Sequence, residues 1–196
     1  MNSNLPNLGS TLSVYIDTEF TDFVNQDLIS IGLAASNGDE FYGENYDFIR
    51  ALSSEWVQQH IYPLLDLSKR GYPRLTLSAR VWEWLNNLPC EFVVIYIDYK
   101  SDYDLLLDLF GDEQHPKILE VKNIYTVMRE AAKSQTLLSN DPDAYANKVI
   151  KFKAMFDLYF MDYFFRTKET QHHALSDAKA NREAFEKVAK EFGFYY

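Results

Sequence analysis

The chain has 196 residues, of which 47% are hydrophobic and 24% are charged. This length and composition are typical of one soluble globular domain and argue against a disordered chain. The net charge of −10 argues against a protein that binds nucleic acid through a broad basic surface, although acidic residues that hold metal ions are compatible with it.

The predicted elements begin with three strands. A β-prone run at residues 13–16 ends on Asp17, and residues 28–35 predict a second strand. The sequence Asn-Gly-Asp at 37–39 is typical of a hairpin turn, and a third strand begins at 40–43. We therefore predict that three antiparallel strands open the domain.

Helices and strands alternate over the rest of the chain. They are a helix at 55–65, a helix at 77–88, a strand buried on both faces at 92–97, a helix that ends before Gly111, a strand at 118–121, a helical stretch at 143–165 and a final helix at 174–192. This order predicts an α/β domain with a mixed sheet covered by helices. We expect residues 1–11 to be a loose N-terminal segment and 12–196 to form one domain.

The first candidate site is Asp17-Thr18-Glu19. Side chains alternate along a strand, so both carboxylates point to one side and offer hard oxygen ligands for a divalent ion. The motif is weak alone, because a chain of this composition contains on the order of one Asp-x-Glu by chance. A solvated strand end is the alternative interpretation.

The second candidate site is His172-His173-Ala174-Leu175-Ser176-Asp177-Ala178 at the start of the final helix. A pattern His-x-Ala-Leu-x-Asp-Ala is expected on the order of 10⁻⁴ times by chance in such a chain. His172 falls in the loop before the helix and Asp177 about one turn inside it. An imidazole and a carboxylate can therefore face the same site.

These motifs resemble those of the DEDDh exonucleases, a family of the ribonuclease H-like superfamily that includes oligoribonuclease, ribonuclease T and polymerase proofreading subunits. The family's first motif, a strand that ends in Asp-x-Glu, matches residues 14–19, and its third, His-x-Ala-x-x-Asp, matches His172 and Asp177. The resemblance implies a ribonuclease H-like α/β fold, in which three antiparallel opening strands and further parallel strands form a mixed sheet covered by helices.

The family's second motif, Asn-x-x-Phe-Asp after an apolar strand, is matched with two departures. Asp102 occupies the position of the motif's Asp, with leucines at the expected offsets, but Asp98 stands where Asn is usual and Ser101 where Phe is usual. Asp98, Asp102 and Asp104 therefore compete for the ligand position, and Asp102 is favoured. Within the family, the layout looks closest to a small bacterial branch of stand-alone exoribonucleases.

The resemblance implies hydrolysis with two metal ions that releases nucleoside 5′-monophosphates from 3′ ends. Asp17, Glu19, Asp102 and Asp177 would hold two Mg²⁺ or Mn²⁺ ions, and His172 would act as the general base. Clustered carboxylates repel one another, so such a site should bind cations readily.

Three weaker predictions concern the surroundings of this site. Thr18 and Phe20 would contact the terminal nucleotide, although core packing is an equal alternative for Phe20. His173 is expected to be structural or exposed. The only basic-leaning region could guide a substrate strand or form a solvated helix face; it contains Lys148, Lys151, Lys153, Arg166 and Lys168.

The expected partner is nucleic acid with a free 3′ end, with RNA favoured over DNA. The alternatives are a DNA-directed proofreading or repair exonuclease of the same fold, a non-catalytic nucleic-acid-binding module, and an inert metal-binding protein. Relatives are often dimers, so a homodimer is one expected state. The single cysteine, Cys90, and the lack of a membrane-spanning or signal-like stretch predict a cytoplasmic protein that does not enter membranes.

Overall fold

A mixed sheet organises the protein, whose computed structural model describes residues 10–196. In this part of the chain the strands are β1 (Thr11–Phe20), β2 (Leu28–Ala35), β3 (Glu40–Asn45), β4 (Gly71–Tyr72), β5 (Phe92–Ile97) and β6 (Ile118–Asn123). Their order across the sheet is β4-β3-β2-β1-β5-β6. The pairs β1–β2 and β2–β3 are antiparallel, whereas β1–β5, β5–β6 and β3–β4 are parallel.

Helices cover both faces of this sheet. They are α1 (Glu55–His60), α2 (Leu67–Arg70), α3 (Arg74–Asn87), α4 (Lys100–Leu109), α5 (Ile124–Thr136), α6 (Ala144–Thr167) and α7 (Ala174–Phe192). One core cluster joins the sheet to α3 and α4, and a second joins it to α5, α6 and α7. All eight residues of β2 are buried, as expected for a strand covered on both faces.

The alternation of side chains along β1 decides which helices its residues meet. Val14 and Ile16 pack in the cluster with α3 and α4, whereas Tyr15 packs in the cluster with α5 to α7. Because side chains alternate with period two, Asp17 and Glu19 lie on the same face as Tyr15. The two acidic residues of the first motif therefore face α7.

Helix α7 packs directly on the backbone of β2 at Gly32. A Cβ atom at Gly32 would lie 2.2 Å from the backbone nitrogen of Leu175, closer than any side-chain carbon can approach. Gly32 is also the partner of Asp17 in the β1–β2 register. The absence of a side chain at this position therefore brings the first turn of α7 next to the acidic end of β1.

Several predictions are confirmed. The three opening strands are antiparallel, β2 and β5 have the predicted bounds, and α7 begins and ends where the sequence predicted. The sheet is mixed and covered by helices. The buried strand β5 contributes Val93 and Ile95 to one core cluster and Tyr96 to the other, so both of its faces are covered as predicted.

Other predicted boundaries were wrong. β1 continues through Phe20, because its second half pairs with β2 as far as Leu28. The first helix ends at His60 instead of continuing to 65, where a 3-10 turn that contains Pro63 replaces it. Proline has no backbone N–H for the helical ladder and closes such a turn instead.

Three short or weakly patterned elements were missed. No strand was predicted between residues 65 and 77, yet β4 extends the sheet there as an edge strand beside β3. The four-residue helix α2 and the whole of α5 were not predicted. α5 buries only the narrow stripe Ile124, Met128 and Ala132.

The N-terminal segment was predicted to cover residues 1–11. Residues 1–9 lie outside the described part of the chain, and β1 already begins at Thr11. Within residues 10–196, none of the helices combines the length and apolar character that crossing a membrane requires.

Candidate active site

A cleft of about 630 Å³ opens where β1 and β5 end and α4 and α7 begin. Two kinds of side chain dominate its wall. The acidic ones are Asp17, Glu19, Asp22, Asp98, Asp102, Asp157 and Asp177. The aromatic ones are Phe20, Phe23, Trp56, Tyr99, Tyr125, Phe156 and Phe160. No lysine or arginine of residues 10–196 lines this cleft.

Among residues 10–196, the acidic side chains and His172 form two triads that could each hold a metal ion. In the first, ligand atoms of Glu19, His172 and Asp177 all lie within 4.8 Å of one another. In the second, carboxylate oxygens of Asp17, Asp98 and Asp102 lie within the same distance. All five residues of the predicted catalytic set are therefore brought together, although they come from the first fifth, the middle and the end of the chain.

Asp102 is held in place by the first motif. Its Oδ1 accepts hydrogen bonds from the backbone N–H of Thr18 at 3.1 Å and from the Thr18 hydroxyl at 2.8 Å. Its Oδ2 accepts from the backbone N–H of Tyr99 at 3.3 Å, which caps the N-terminus of α4. Only 3% of Asp102 is exposed. Thr18 points away from α7 and so ties α4 to the end of β1.

The neighbouring aspartates of the second motif have different surroundings. Asp104 is exposed and forms an ion pair with Lys100, so it points away from the cleft as expected for a residue two helical positions after Asp102. Asp98 follows β5 directly, and its Oδ1 accepts from the backbone N–H of Tyr99 at 3.0 Å. Asp98 was a candidate for the ligand position that the sequence ranked below Asp102, yet its carboxylate lies inside the acidic cluster as well.

His172 has an unusual backbone. Its φ is 65°, in the left-handed region that non-glycine residues seldom adopt. Its backbone N–H donates to Oδ2 of Asp177 at 3.0 Å, which stabilises this conformation. The imidazole meets the ring of Trp56 edge-on at 5.1 Å, and Trp56 in turn stacks on His60 at 4.7 Å. Helix α1 therefore contacts the histidine through Trp56, which itself lines the cleft.

His173 lies in a separate hollow, although it is adjacent in sequence. Its ring stacks on Tyr42 at 4.2 Å, and its Nδ1 is 3.4 Å from the hydroxyl of Ser176. It is half-buried and does not line the acidic cleft. The structural role expected for His173 agrees with this placement.

The electrostatics of the cleft disfavour ionised carboxylates. Burial raises the pKa of Asp17 well above its usual range, and the four neighbouring carboxylates raise it further. Burial and repulsion raise the pKa of both Glu19 and Asp102 to about 8, and burial raises that of Asp177 to about 7. A nearby cation would offset this penalty, because opposite charge favours the ionised form.

Two buried oxygen atoms in the wall fit a cation for an independent reason. Oδ1 of Asp177 and Oδ1 of Asn181 are buried and have no hydrogen-bond donor among residues 10–196. Buried polar atoms are nearly always paired, so oxygens that face a cleft without donors indicate a missing positive partner. Mg²⁺ and Mn²⁺ prefer an all-oxygen carboxylate set of this kind.

The smaller sequence predictions have mixed outcomes. Thr18 and Phe20 both line the cleft, but the Thr18 hydroxyl is engaged with Asp102, and Phe20 packs edge-on against Phe23 at 5.2 Å and also touches the core. Their contact with a nucleotide stays a prediction. None of the five residues of the basic-leaning region lines the cleft. Lys153 pairs with Asp157, and Arg166 pairs with Asp162 and Glu183.

Sequence reasoning missed Asn181 and Trp56. Asn181 is 2% exposed and lies one helical turn after Asp177, so the i, i+4 spacing on α7 was the available signal. Trp56 had a signal only as an apolar position of α1, and its contact with His172 depends on the approach of two segments distant in sequence.

The fold and the cleft together define an α/β protein with an acidic cleft at the end of its sheet, which no lysine or arginine of the described residues lines. No protein-family model matches the chain, and no curated protein is significantly similar to it.

Proposed function

We propose that the protein is a metal-dependent 3′→5′ exonuclease of the DEDDh type, acting on RNA and releasing nucleoside 5′-monophosphates. The observation that carries the proposal is the convergence of Asp17, Glu19, Asp102, Asp177 and His172 in one cleft. These are the residues that the family motifs assign to two-metal hydrolysis, and they come from segments far apart in the chain. The six-stranded mixed sheet is compatible with a ribonuclease H-like fold.

The carboxylates would hold the ions. When bound, two divalent ions would neutralise the phosphodiester charge and favour deprotonation of the attacking water. Asp17 is central to this set, because all the other carboxylates of the cluster raise its pKa. Asp102 is fixed by Thr18 before any ion arrives, so it needs little reorganisation to act as a ligand.

His172 would accept the proton of the attacking water. Burial, together with the charge of His60, lowers the pKa of His172 below its usual value, so the imidazole is neutral and can accept a proton at pH 7. The bond from its backbone N–H to Asp177 and the edge of Trp56 restrict where the ring can lie. The base is therefore oriented by a carboxylate of the cluster and by α1.

The aromatic wall supports binding of bases and not of a long phosphate backbone. Phe23, Trp56 and Tyr99 line the cleft, and 78%, 47% and 64% of their surfaces are exposed to solvent. Exposed rings are stacking platforms for unpaired bases, worth about 1–3 kcal/mol per base. With no lysine or arginine in the described wall, we expect the enzyme to hold the last few nucleotides of a free 3′ end.

The test is cleavage of 5′-labelled RNA and DNA oligomers of one sequence, with Mg²⁺, with Mn²⁺ and with EDTA. We expect a descending ladder with either ion, faster loss of RNA than of DNA, and no cleavage in EDTA. Equal or faster loss of DNA would favour the DNA-directed exonuclease. Binding without cleavage under every condition would favour a non-catalytic module, and full activity in EDTA would overturn the metal requirement.

Two further expectations accompany the proposal. A homodimer and a cytoplasmic location both stay predictions. Sedimentation of the purified chain tests the first, and fractionation of cells that produce it tests the second.

A further inference from the structure

Asp98 is the feature of the cleft that the family motifs do not account for. Most relatives that the second motif resembles carry Asn at this position, and an amide is a neutral group. Here a carboxylate stands directly after β5, with an oxygen within 4.8 Å of oxygens from Asp17 and Asp102. We infer that Asp98 is a direct ligand of one of the two divalent ions, which it holds together with Asp17 and Asp102. This inference rests on the proposed function.

The hydrogen bonds of the second triad leave Asp98 the freer ligand. Oδ1 of Asp102 already accepts two hydrogen bonds, from the N–H and the hydroxyl of Thr18, and its Oδ2 accepts one. A carboxylate oxygen has about two lone-pair sites, so the Oδ1 atom is saturated. Oδ1 of Asp98 accepts one backbone bond, from Tyr99, and the Asp98 carboxylate also interacts with the side chain of Asn181. Oδ1 of Asp98 is therefore less occupied by donors than Oδ1 of Asp102.

No positive side chain compensates Asp98. No lysine or arginine lines the cleft in the described part of the chain. The ammonium group of Lys100, two residues further along the chain, is paired with the exposed Asp104. A third carboxylate placed beside two others, with no cation supplied by the chain, matches a ligand for an external ion.

A second observation comes from α7. Asn181 is 2% exposed and its side chain donates a hydrogen bond to Asp98, while its own Oδ1 is buried and has no donor. Asp177, one turn earlier and 8% exposed, likewise has an unpaired buried Oδ1. Both residues line the cleft. The buried Oδ1 of Asn181, which has no donor and lies next to Asp98, fits a cation on the side of Asp17, Asp98 and Asp102. The unpaired Oδ1 of Asp177 fits one on the side of Glu19 and His172.

The two triads would then have different roles. Glu19 and Asp177, with His172 nearby, form the side of the cleft that carries the base. Asp17, Asp98 and Asp102 form the other side, and the negative charge of Asp98 would strengthen ion binding there. The alternative is that Asp98 replaces the amide as a protonated hydrogen-bond donor and touches no ion.

The experiment is calorimetric titration of chelator-treated protein with MnCl₂. The wild-type chain should bind two ions. Asp98→Asn, which restores the family's usual residue, and Asp98→Ser should each weaken one of the two ions by about 10-fold or more, as expected for removal of a metal-site partner. Asp104→Asn is the matched control, because it removes an aspartate six residues away that is paired with Lys100, and it should titrate like the wild type.

Each outcome decides a separate question. Wild-type stoichiometry and affinity in either folded Asp98 variant, checked by circular dichroism, overturn the inference and leave the exonuclease proposal intact. A wild-type chain that binds no Mn²⁺ overturns the proposed function itself. Removing Asp98 also removes repulsion, so Asp98→Asn should unfold at a higher temperature than the wild type in EDTA, which shows that the variant folds.

Discussion

Carboxylates occur in two contrasting settings in this protein, the cleft and the outer surface of α6 and α7. On the outer surface Arg166 pairs with Asp162 and Glu183, and Lys187 lies 2.6 Å from Glu183 and 3.7 Å from Asp162. Partial burial acts to raise the pKa of Glu183, but hydrogen bonds from Lys187 and Arg166 lower it overall.

In the cleft, the clustered carboxylates of the two triads have no such partner among residues 10–196. The pKa values of Asp17, Glu19, Asp102 and Asp177 are all raised, and no lysine or arginine of residues 10–196 reaches the cleft wall. The chain therefore neutralises these outer carboxylates with its own side chains, whereas the proposed function requires cations from solution for the clustered carboxylates of the cleft. The lack of lysine and arginine beside the described cluster is therefore as informative about the cleft as the carboxylates themselves.

The largest expected effect distinguishes a carboxylate in the cleft from an ion-paired carboxylate on the same helix, α4. Asp102→Asn should lower exonuclease turnover on the order of 10³-fold, because loss of a metal ligand removes several kcal/mol of transition-state stabilisation. Asp104→Asn should change turnover less than about twofold, because an exposed i, i+4 ion pair with Lys100 contributes little.

The assay is steady-state cleavage of one RNA oligomer at saturating Mg²⁺, with folding of both variants checked by circular dichroism. A folded but inactive Asp104→Asn beside an active Asp102→Asn would move the metal site two residues along the chain. Glu183→Gln serves as a control from the outer surface and should cleave at the wild-type rate.

The next effect separates the two adjacent histidines. His172→Ala should lower turnover on the order of 10²-fold or more, as expected for loss of a general base. His173→Ala should have a much smaller effect, because His173 stacks on Tyr42 in another hollow. Turnover is measured across pH 5.5–9, where the His172 variant should also lose the acidic limb of the profile.

Mn²⁺ titration sharpens the role of His172. The affinity of the protein for Mn²⁺ should change little in His172→Ala if the imidazole acts as the base. A large loss of affinity would instead make His172 a metal ligand of the triad with Glu19 and Asp177. Equal kinetic effects of the two substitutions would show that the third motif is assigned in the wrong register.

A smaller effect concerns stability against pH without metal. Glu19 and Asp102 have pKa values near 8 in the folded protein, compared with about 4 in an unfolded chain. Between about pH 4 and pH 8 the folded state therefore binds more protons than the unfolded state, and its free energy of unfolding falls as pH rises. The melting temperature in EDTA should be higher at pH 5.5 than at pH 8.5.

Saturating Mg²⁺ should abolish this decline, because the ions stabilise the ionised carboxylates. Circular dichroism melts at four pH values, with EDTA and with Mg²⁺, measure both curves. Asp17→Asn is the control and should flatten the curve in EDTA. A wild-type melting temperature in EDTA that rises from pH 5.5 to pH 8.5 would contradict the proposed repulsion.

The smallest effect is that of monovalent salt. Because no lysine or arginine of the described residues lines the cleft, a bound substrate should make at most one phosphate contact with a basic side chain. Raising KCl from 50 to 200 mM should therefore weaken binding less than about fourfold. A protein with six to ten such contacts would lose roughly 10³- to 10⁵-fold over that range. Fluorescence titration of an inactive Asp102→Asn variant with a short RNA measures the slope, and a steep one would point to a basic surface beyond the cleft.

The sequence predicted the parts of the site that local patterns encode. Asp17, Glu19, His172 and Asp177 stand in short motifs with fixed spacing, and strand alternation or helix position was enough to orient them. Asp102 was favoured over Asp104 because the leucines of the second motif stand at the expected offsets from it. The antiparallel opening strands and the bounds of α7 were predicted for the same reason, because strong periodicity and clear turn residues mark them.

The rest depends on contacts between distant segments. The place of Asp98 inside the cluster and the contact of Trp56 with His172 follow from how β5, α1 and α7 approach one another, which no local pattern records. β4 has two residues and is defined only by their pairing with β3, so it has no sequence pattern of its own. The sequence also did not show that the described cleft wall lacks lysine and arginine, because the fold decides on which surface each basic side chain lies.

The bare backbone of Gly32, against which the first turn of α7 packs, also bears on the order in which the protein folds. β1 and β2 are joined by a short connection, whereas the hydrogen bond from Arg182 of α7 to the carbonyl of Ala35 spans 147 residues. Contacts of such separation cost more loop-closure entropy and form later. Pulsed hydrogen exchange during refolding should therefore protect β1 and β2 before α7. Asp17 and Glu19 would then already lie on paired strands when α7 docks. The electrostatic repulsion between them and Asp177 would arise only at that late step.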